Sequence, residues 1–235
     1  MAAPPVDGWW ARLGARLCPP RCLVCRETAP PGTDLCSACR AALPWNDRAC
    51  LRCALPLPGR DALCGACLRR PPPLQATHAA FVYGFPLDRL LPRFKFHRDL
   101  AAGRLLAGAM AERFVALPRP DALVAVPLHR ARLRRRGYDQ ALELATPLAR
   151  ALGIPLRTDV LLRTRDTAPQ SELDAIARRR NLRGAFAVAA DTVPPAYVVL
   201  VDDVMTTGAT LHAAAKVLRR AGVTRVDAWV CARAP

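Results

Sequence analysis

The chain has 235 residues, with 35 Lys and Arg against 19 Asp and Glu and a formal net charge of +16. That length can bury a full core and leave room for one small extra module. No run of 18 or more apolar residues occurs, and the N-terminal MAAPPVDGWWARLGARLCPP lacks a continuous apolar stretch; a membrane span and a signal peptide are both argued against, and a cytoplasmic location is expected.

Only Lys95 and Lys216 among the 35 basic residues are lysines. Arginine suits bidentate phosphate recognition, so the charge favours a polyanionic partner. A high content of Ala, Arg and Pro together is also a signature of genome base composition, and the charge alone does not decide the matter.

In chain order, Trp9, Trp10, Leu13 and Leu17 fall at helical spacing and predict a short amphipathic helix packed on the protein itself. The cysteines follow. Ten of them without a secretory signal argue against a disulfide framework, and eight form C-x-x-C pairs: Cys22/Cys25, Cys36/Cys39, Cys50/Cys53 and Cys64/Cys67. The second four recur 28 positions after the first, giving two copies of C-x2-C-x10-C-x2-C. Four thiolates suit tetrahedral Zn(II), so two zinc sites are expected, with sequential or crossed pairing left open by the spacing. Each occupied site contributes −4 + 2, which lowers the net charge from +16 to about +12. Cys18 and Cys231 lie outside the repeat. Such a ribbon binds nucleic acid, binds protein, or only folds a segment too small for its own core.

Pro71 to Pro73 form a stiff boundary. The division expected is a helix and double zinc ribbon over 1–70, a Pro-rich linker over 71–78 and a second domain over 79–235. After the prolines, strand-length apolar runs alternate with helical patterns, which predicts an α/β fold. Strands are expected over Thr77–Tyr83, Asp121–Val126, Tyr197–Val201 and Arg225–Cys231. Helices are expected over Leu87–Phe96, interrupted or kinked at Pro92, then Asp99–Ala116, Tyr138–Leu152 and Ala209–Gly222.

The stretch VVLVDDVMTTGAT, Val198 to Thr210, concentrates the chemistry. Its apolar run reads as a strand buried on both faces, and ligands of open α/β sheets bind at the carboxyl ends of such strands. Asp202 and Asp203 fall there. Thr206, Thr207, Gly208 and Thr210 then sit at a helix start, where amides and hydroxyls favour a phosphate. Two acids for hydroxyls or a metal ion, and a loop for phosphate, together describe a sugar phosphate. Neither G-x-x-x-x-G-K-[ST] nor G-x-G-x-x-G occurs, which weakens nucleoside-triphosphate and dinucleotide readings.

This stretch resembles the phosphoribosyl pyrophosphate (PRPP) motif of type I phosphoribosyltransferases. Together with VPLHRARLRRRGYDQA, TAPQSELDAIARRRNLRGAFAV and the zinc-ribbon N-terminus, nearly the whole chain resembles the ComF family of competence proteins. The resemblance implies a type I phosphoribosyltransferase-like, mostly parallel sheet flanked by helices, with the small four-cysteine module in front. It implies that Asp202 and Asp203 bind the ribose hydroxyls and that Thr206, Thr207, Gly208, Ala209 and Thr210 hold the 5′-phosphate. It further implies Arg132 and Arg136 for pyrophosphate, Gln170, Arg179 and Asn181 in a hood over the substrate, Lys95 in FKF, and Mg(II) entering with PRPP. Asp139 stands in RGYDQ where the family commonly has Asn.

In phosphoribosyl transfer a nucleophile displaces pyrophosphate at C1 of PRPP, and Mg(II) and arginines stabilise the charge growing on the leaving group. No acceptor pocket is evident in the sequence, nor an amino-terminal cysteine that would liberate ammonia, so PRPP binding is better supported than turnover and no catalytic residue is assigned. Three functions remain. One is a ComF-like protein that binds PRPP and single-stranded DNA during DNA uptake, with competence-machinery proteins as partners and Trp9/Trp10 and Phe94/Phe96 as stacking candidates. The second is a metabolic phosphoribosyltransferase. The third is a non-catalytic PRPP-sensing adaptor.

Overall fold

The computed structural model describes residues 20–59, 62–166 and 184–235. The expected N-terminal helix, Trp9, Trp10, Cys18, Gln170, Arg179 and Asn181 lie outside them.

The cysteine repeat is also a structural repeat. Cys22, Cys25, Cys36 and Cys39 form one tetrad and Cys50, Cys53, Cys64 and Cys67 the other, with the sulfurs of each within 4.8 Å of one another. Pairing is therefore sequential. Each first pair forms a knuckle closed by an amide bonding back to the first cysteine's carbonyl, Arg26 N to Cys22 O at 3.0 Å and Ala54 N to Cys50 O at 2.8 Å. Both closing residues take a left-handed conformation, φ 69° and 53°. The third cysteine of each tetrad caps a single-turn helix, α1 (Ser37–Ala41) or α2 (Gly65–Arg69).

The rest is built on a four-stranded sheet. Strands β1 (Thr77–Val82), β2 (Ala122–Ala125), β5 (Tyr197–Met205) and β6 (Arg225–Arg233) lie in the order β1-β6-β5-β2, every neighbouring pair parallel. A separate antiparallel pair joins β3 (Leu161–Arg163) to β4 (Phe186–Val188). Side chains alternate across β5 as the pleat requires. Val199 and Val201 join one apolar cluster with Phe81, Leu123 and Trp229, while Val198 and Leu200 join another with Val226, Ala228 and Val230.

Helices cover both faces. On the first lie α3 (Leu87–His97), α4 (Leu100–Phe114) and α6 (Gln140–Leu152), contributing Leu90, Phe94, Leu106, Met110, Leu144 and Leu148. On the second lies α7 (Ala209–Arg220), contributing Leu211, Ala214, Ala215 and Leu218. This is the expected α/β fold, with the parallel sheet buried on both sides.

Four local expectations change. β5 runs through both aspartates to Met205 rather than ending at Val201, because β6 itself continues to Arg233 and keeps the ladder supplied: Asp202 pairs with Val230 and Met205 with Arg233. Helix α3 is continuous through Pro92, so the proline does not interrupt it. The arginine run forms a further helix, α5 (Arg130–Arg136), capped by His129 Nδ1 accepting from Ala131 N at 3.3 Å and stopped by Gly137 at φ 84°. The β3–β4 pair was not anticipated, since three-residue strands leave no periodicity to read.

The ribbons share the core with the sheet. Cys22, Leu35 and Leu43 belong to the same cluster as Phe81 and Leu106, Trp45 packs on Phe81 with ring centroids 4.6 Å apart, and Pro44 O accepts from Val82 N at 2.8 Å. Stripping the metal is therefore expected to loosen the core of the whole chain, not the ribbons alone. Scanning calorimetry with and without a zinc chelator should show the main transition falling by at least about 5 °C; an unmoved transition would contradict the shared core.

Candidate functional site

The parallel strands all run the same way, so the ends of β2 and β5 open onto one crevice. A cavity of about 690 Å³ lies there, lined by Asp202, Asp203, Thr206 and Thr210 from β5 and the turn after it. Arg132 and Arg136 of α5, Lys95 and Phe96 of α3, Asp139, Gln140 and Arg163 line it as well. Its size falls in the range of small-molecule sites, roughly 300–1,000 Å³.

Asp203 is 6% exposed and pairs with Lys95, Nζ to Oδ2 at 2.7 Å. Burial by itself would lower the Lys95 pKa, but the charge and hydrogen bond of Asp203, with Asp202 beyond, raise it. Lys95 is thus a cation held against the acids and not a surface lysine. Burial, and next the negative charge of Asp203, raise the Asp202 carboxyl to about 8. Asp202 Oδ1 accepts from the Asp203 amide at 2.9 Å, and Asp203 Oδ1 from the Val204 amide at 2.7 Å. Lys95 balances Asp203, and Asp202 beside it holds its proton until about pH 8, so a hydroxyl donor or a cation that draws Asp202 into its charged form suits the site.

The turn Thr206–Gly208 leads into α7. Gly208 sits at φ 73°, and a Cβ there would run into Met205 Cε and meet His212 Nε2 at 3.0 Å, so glycine is required both by conformation and by space. No side chain accepts from α7's first amides at the cap position itself; Thr207 Oγ1 accepts from Ala209 N at 3.4 Å. The start of a helix beside the Thr206 and Thr207 hydroxyls is an end suited to an anion.

Arg132 and Arg136 are one helical turn apart and both reach the cavity, whereas Arg130, Arg134 and Arg135 are exposed. Arg132 Nε lies 3.4 Å from Asp166, and Arg136 donates to Gln140 Oε1 at 2.5 Å and covers the Phe96 ring at 5.4 Å. The two phenylalanines of FKF part company: Phe94 is fully buried against Tyr138, while Phe96 is 63% exposed at the cavity's rim.

Asp139 is a structural carboxylate. Its Oδ1 caps α6 by accepting from Ala141 N and Leu142 N at 3.0 and 3.2 Å, and its Oδ2 accepts from Leu128 N at 2.8 Å, pinning the loop after β2. Burial raises its pKa against these amides. Asn could cap α6 through its one carbonyl oxygen but would turn a donor toward Leu128 N, so the second acceptor oxygen that Asp supplies is used here. Sequence reasoning missed Arg163 and Gln140 as wall residues. Arg163 stacks on Phe186 at 5.3 Å, and its pKa is lowered by burial and next by Arg132. No local signal marked either, because each reaches the cavity through tertiary packing.

The tetrads fit a zinc ion by their own chemistry. In the first, Cys22 is drawn down to about 6 by the amides of Cys25, Cys36 and Val24, against the opposing effect of burial. Burial and neighbouring thiols push Cys39 up to about 12. In the second, Cys50 falls to about 7 by the same kind of amide bonding, again against burial. Four thiols so close cannot all ionise unaided, and a dication resolves that conflict.

Comparison with known proteins agrees with this architecture. The double zinc ribbon domain matches residues 14–68 and the phosphoribosyl transferase domain matches residues 138–235. Competence protein F of Haemophilus influenzae is 41% identical over 157 residues, covering 63% of this chain and 69% of that protein. The chain belongs to the ComF family. DNA utilization protein YhgH of Salmonella typhi, similar to this ComF-family chain, is 40% identical over 172 residues, covering 71% of this chain and 75% of that protein. Among solved structures, glutamine PRPP amidotransferase from B. subtilis aligns with a TM-score of 0.39 and 23% identity, over 56% of this chain and 26% of that one. Among the described residues, no helix is long and apolar enough to cross a membrane.

The acid pair carries a pH signature. Asp202 has a folded-state pKa above its ordinary 3.8, so the folded chain binds the extra proton and stability falls as pH rises from about 4 toward about 8. Asp202→Asn keeps the Oδ1 acceptor and removes this penalty. Its melting temperature should match wild type near pH 5 and exceed it above pH 8, by the equivalent of roughly 1–2 kcal/mol, less than the full shift would imply because Asp202 keeps some solvent contact. Thermal melts across that range test it; a gap independent of pH would contradict the assignment.

Proposed function

We propose that this chain binds PRPP with Mg(II) at the crevice above β2 and β5 and acts, as a ComF-family protein, in the handling of incoming single-stranded DNA. The observation that carries the reading is the convergence of Asp202, Asp203, Thr206, Thr210, Arg132 and Arg136 on one cavity. Asp202 and Asp203 take the ribose 2′- and 3′-hydroxyls. Thr206, Thr207, Gly208, Ala209 and Thr210 take the 5′-phosphate at the start of α7. Arg132 and Arg136 approach from the opposite wall, where the pyrophosphate extends, and Arg163 adds a third cation. Gln170, Arg179 and Asn181 are assigned to the segment covering the bound ligand.

Mg(II), held between the acids and the ligand, would supply the positive charge that lets a polyanion sit beside two carboxylates. Lys95 holds Asp203 in place before the ligand arrives, and the hydroxyls then compete for the same oxygens. The arginines exclude water from the pyrophosphate side and offer fixed charge to a leaving group.

The DNA part rests on charge and position. The formal net charge is +16, Arg134 and Arg135 are exposed on α5, and Arg136 of the same helix lies over the exposed ring of Phe96. A basic run next to an aromatic face is what sequence-tolerant single-strand binding uses. The name competence protein F of the Haemophilus influenzae relative supports a place in DNA uptake.

Adding PRPP and Mg(II) should raise the melting temperature, and the Asp202→Asn/Asp203→Asn variant should lose that rise while its zinc content is unchanged. Retained stabilisation in the variant would remove the central assignment. A parallel assay for released pyrophosphate over a broad panel of bases and amines distinguishes binding from transfer. Titrations of a single-stranded oligonucleotide at several salt concentrations test the DNA surface separately. Arg134→Ala/Arg135→Ala should weaken binding and flatten the log–log salt slope by about 1–2, with PRPP affinity intact. An unchanged slope would place the DNA elsewhere.

A further inference from the structure

Arg233, the last residue of β6, is 8% exposed, an unusual place for a guanidinium. Its Nε donates to Cys53 O at 2.9 Å and its Nη1 to Met205 O at 3.2 Å, and it also contacts Ala234 O. Cys53 is a ligand of the second tetrad. Met205 immediately precedes the Thr206–Thr210 loop, and its carbonyl accepts from Ala234 N at 3.0 Å as well. One side chain therefore bridges a metal-binding knuckle and the root of the phosphate loop.

The knuckle is gripped along its length. Leu51 O accepts from Thr77 N at 2.8 Å, Arg52 O from Thr77 Oγ1 at 2.9 Å, Cys53 O from Arg233, and Ala54 O from Asn46 Nδ2 at 2.9 Å. Four successive carbonyls are thus tied to groups outside the knuckle. The first tetrad is held differently. Arg93 Nη1 reaches Leu23 O at 2.6 Å, but that arginine already has a carboxylate partner, Asp99, at 2.6 Å.

Burying a guanidinium is costly unless an opposite charge is near. A four-thiolate centre with zinc bound retains a net −2, so the cation and the centre complete one another.

We propose that Arg233 is the buried counter-cation of the second zinc centre and couples it to the phosphate loop, so that metal at Cys50–Cys67 and ligand at Thr206–Thr210 stabilise each other. The first clause stands on the hydrogen bonds and burial alone; the second rests on the PRPP reading above. Partners of this outer kind commonly change metal retention by 10–100-fold.

The test uses the zinc-loaded full chain under a chelator challenge, with peptide-resolved thiol alkylation reporting each tetrad separately. In Arg233→Met, alkylation of Cys50, Cys53, Cys64 and Cys67 should accelerate about tenfold or more while the first tetrad keeps its wild-type rate. Arg233→Lys keeps the charge but cannot span both carbonyls, and should fall between. Wild-type rates at the second tetrad in both variants, or equal acceleration of both tetrads in Arg233→Lys, would overturn the counter-cation. For the coupling, PRPP with Mg(II) should slow alkylation of the second tetrad in wild type and not in Arg233→Lys, with calorimetry run alongside. Heat of PRPP binding without that protection would overturn the coupling. No heat at all would overturn the PRPP reading and the coupling with it, leaving the counter-cation to the alkylation rates.

Discussion

The parallel ladder between β5 and β6 is the constraint on which the site depends. An apolar strand is easily buried, but here the pairing continues for several residues beyond the apolar run, through Asp202 and Asp203 to Met205. Two adjacent carboxylates are thereby fixed on a rigid edge instead of a loop. Rigid backbone denies them the freedom to turn apart into solvent, and the Asp202 pKa is raised by that burial first and by the charge of Asp203 next. Lys95 relieves one of the two and leaves the other for a ligand. The strain is electrostatic, local and directed at the mouth of the crevice, as functional sites often are.

The zinc ribbons are part of the same constraint. A parallel sheet needs both faces and both ends covered, and β1 at the sheet's edge gains cover from Trp45 and from the Pro44 and Asn46 backbone. The second knuckle covers the strand ends at Thr77 and Arg233. The repeat supplies two similar units, yet they meet different environments: one bonds to α3 and α4 through Arg93, Arg104 and Glu112, the other to the start of β1 and the end of β6, the neighbour of the strand that carries the acids. Sequence identity between repeats therefore does not carry over to equivalence of role.

Much of the fold and the centre of the site were legible in the sequence. The cysteine spacing announced both tetrads, because a C-x-x-C turn needs no distant partner to be recognised. The run from Val198 to Thr210 was legible for the same reason: strand, acids, glycine turn and helix start are contiguous. Arg132 and Arg136 could be singled out by resemblance, and the helix that places them one turn apart gives that choice its physical basis. What escaped was everything that reaches the cavity from afar. Arg163 enters from a three-residue strand, and Arg233 meets Cys53 across 180 positions of chain. Asp139 looked like a departure in a binding motif, and its carboxylate is in fact occupied with three backbone amides.

The distribution of charge now has a physical account that the net value conceals. A chain of +16 does not surround its acids evenly with arginine. Lys95 faces Asp203, while Arg132, Arg136 and Arg163 line other parts of the same cavity, where Asp139 and Gln140 are committed to hydrogen bonds of their own. On the proposed reading, the ligand presents hydroxyls to one wall and a dense negative charge to the other, with a further phosphate at the helix start. A neutral sugar would offer Arg132 and Arg136 nothing beyond the Asp166 and Gln140 contacts they already have, and a bare phosphate or pyrophosphate would meet like charge at the acids. On that reading the polarity of the crevice favours a molecule that carries both chemistries at once, and that preference is independent of whether a bond is then made or broken within it.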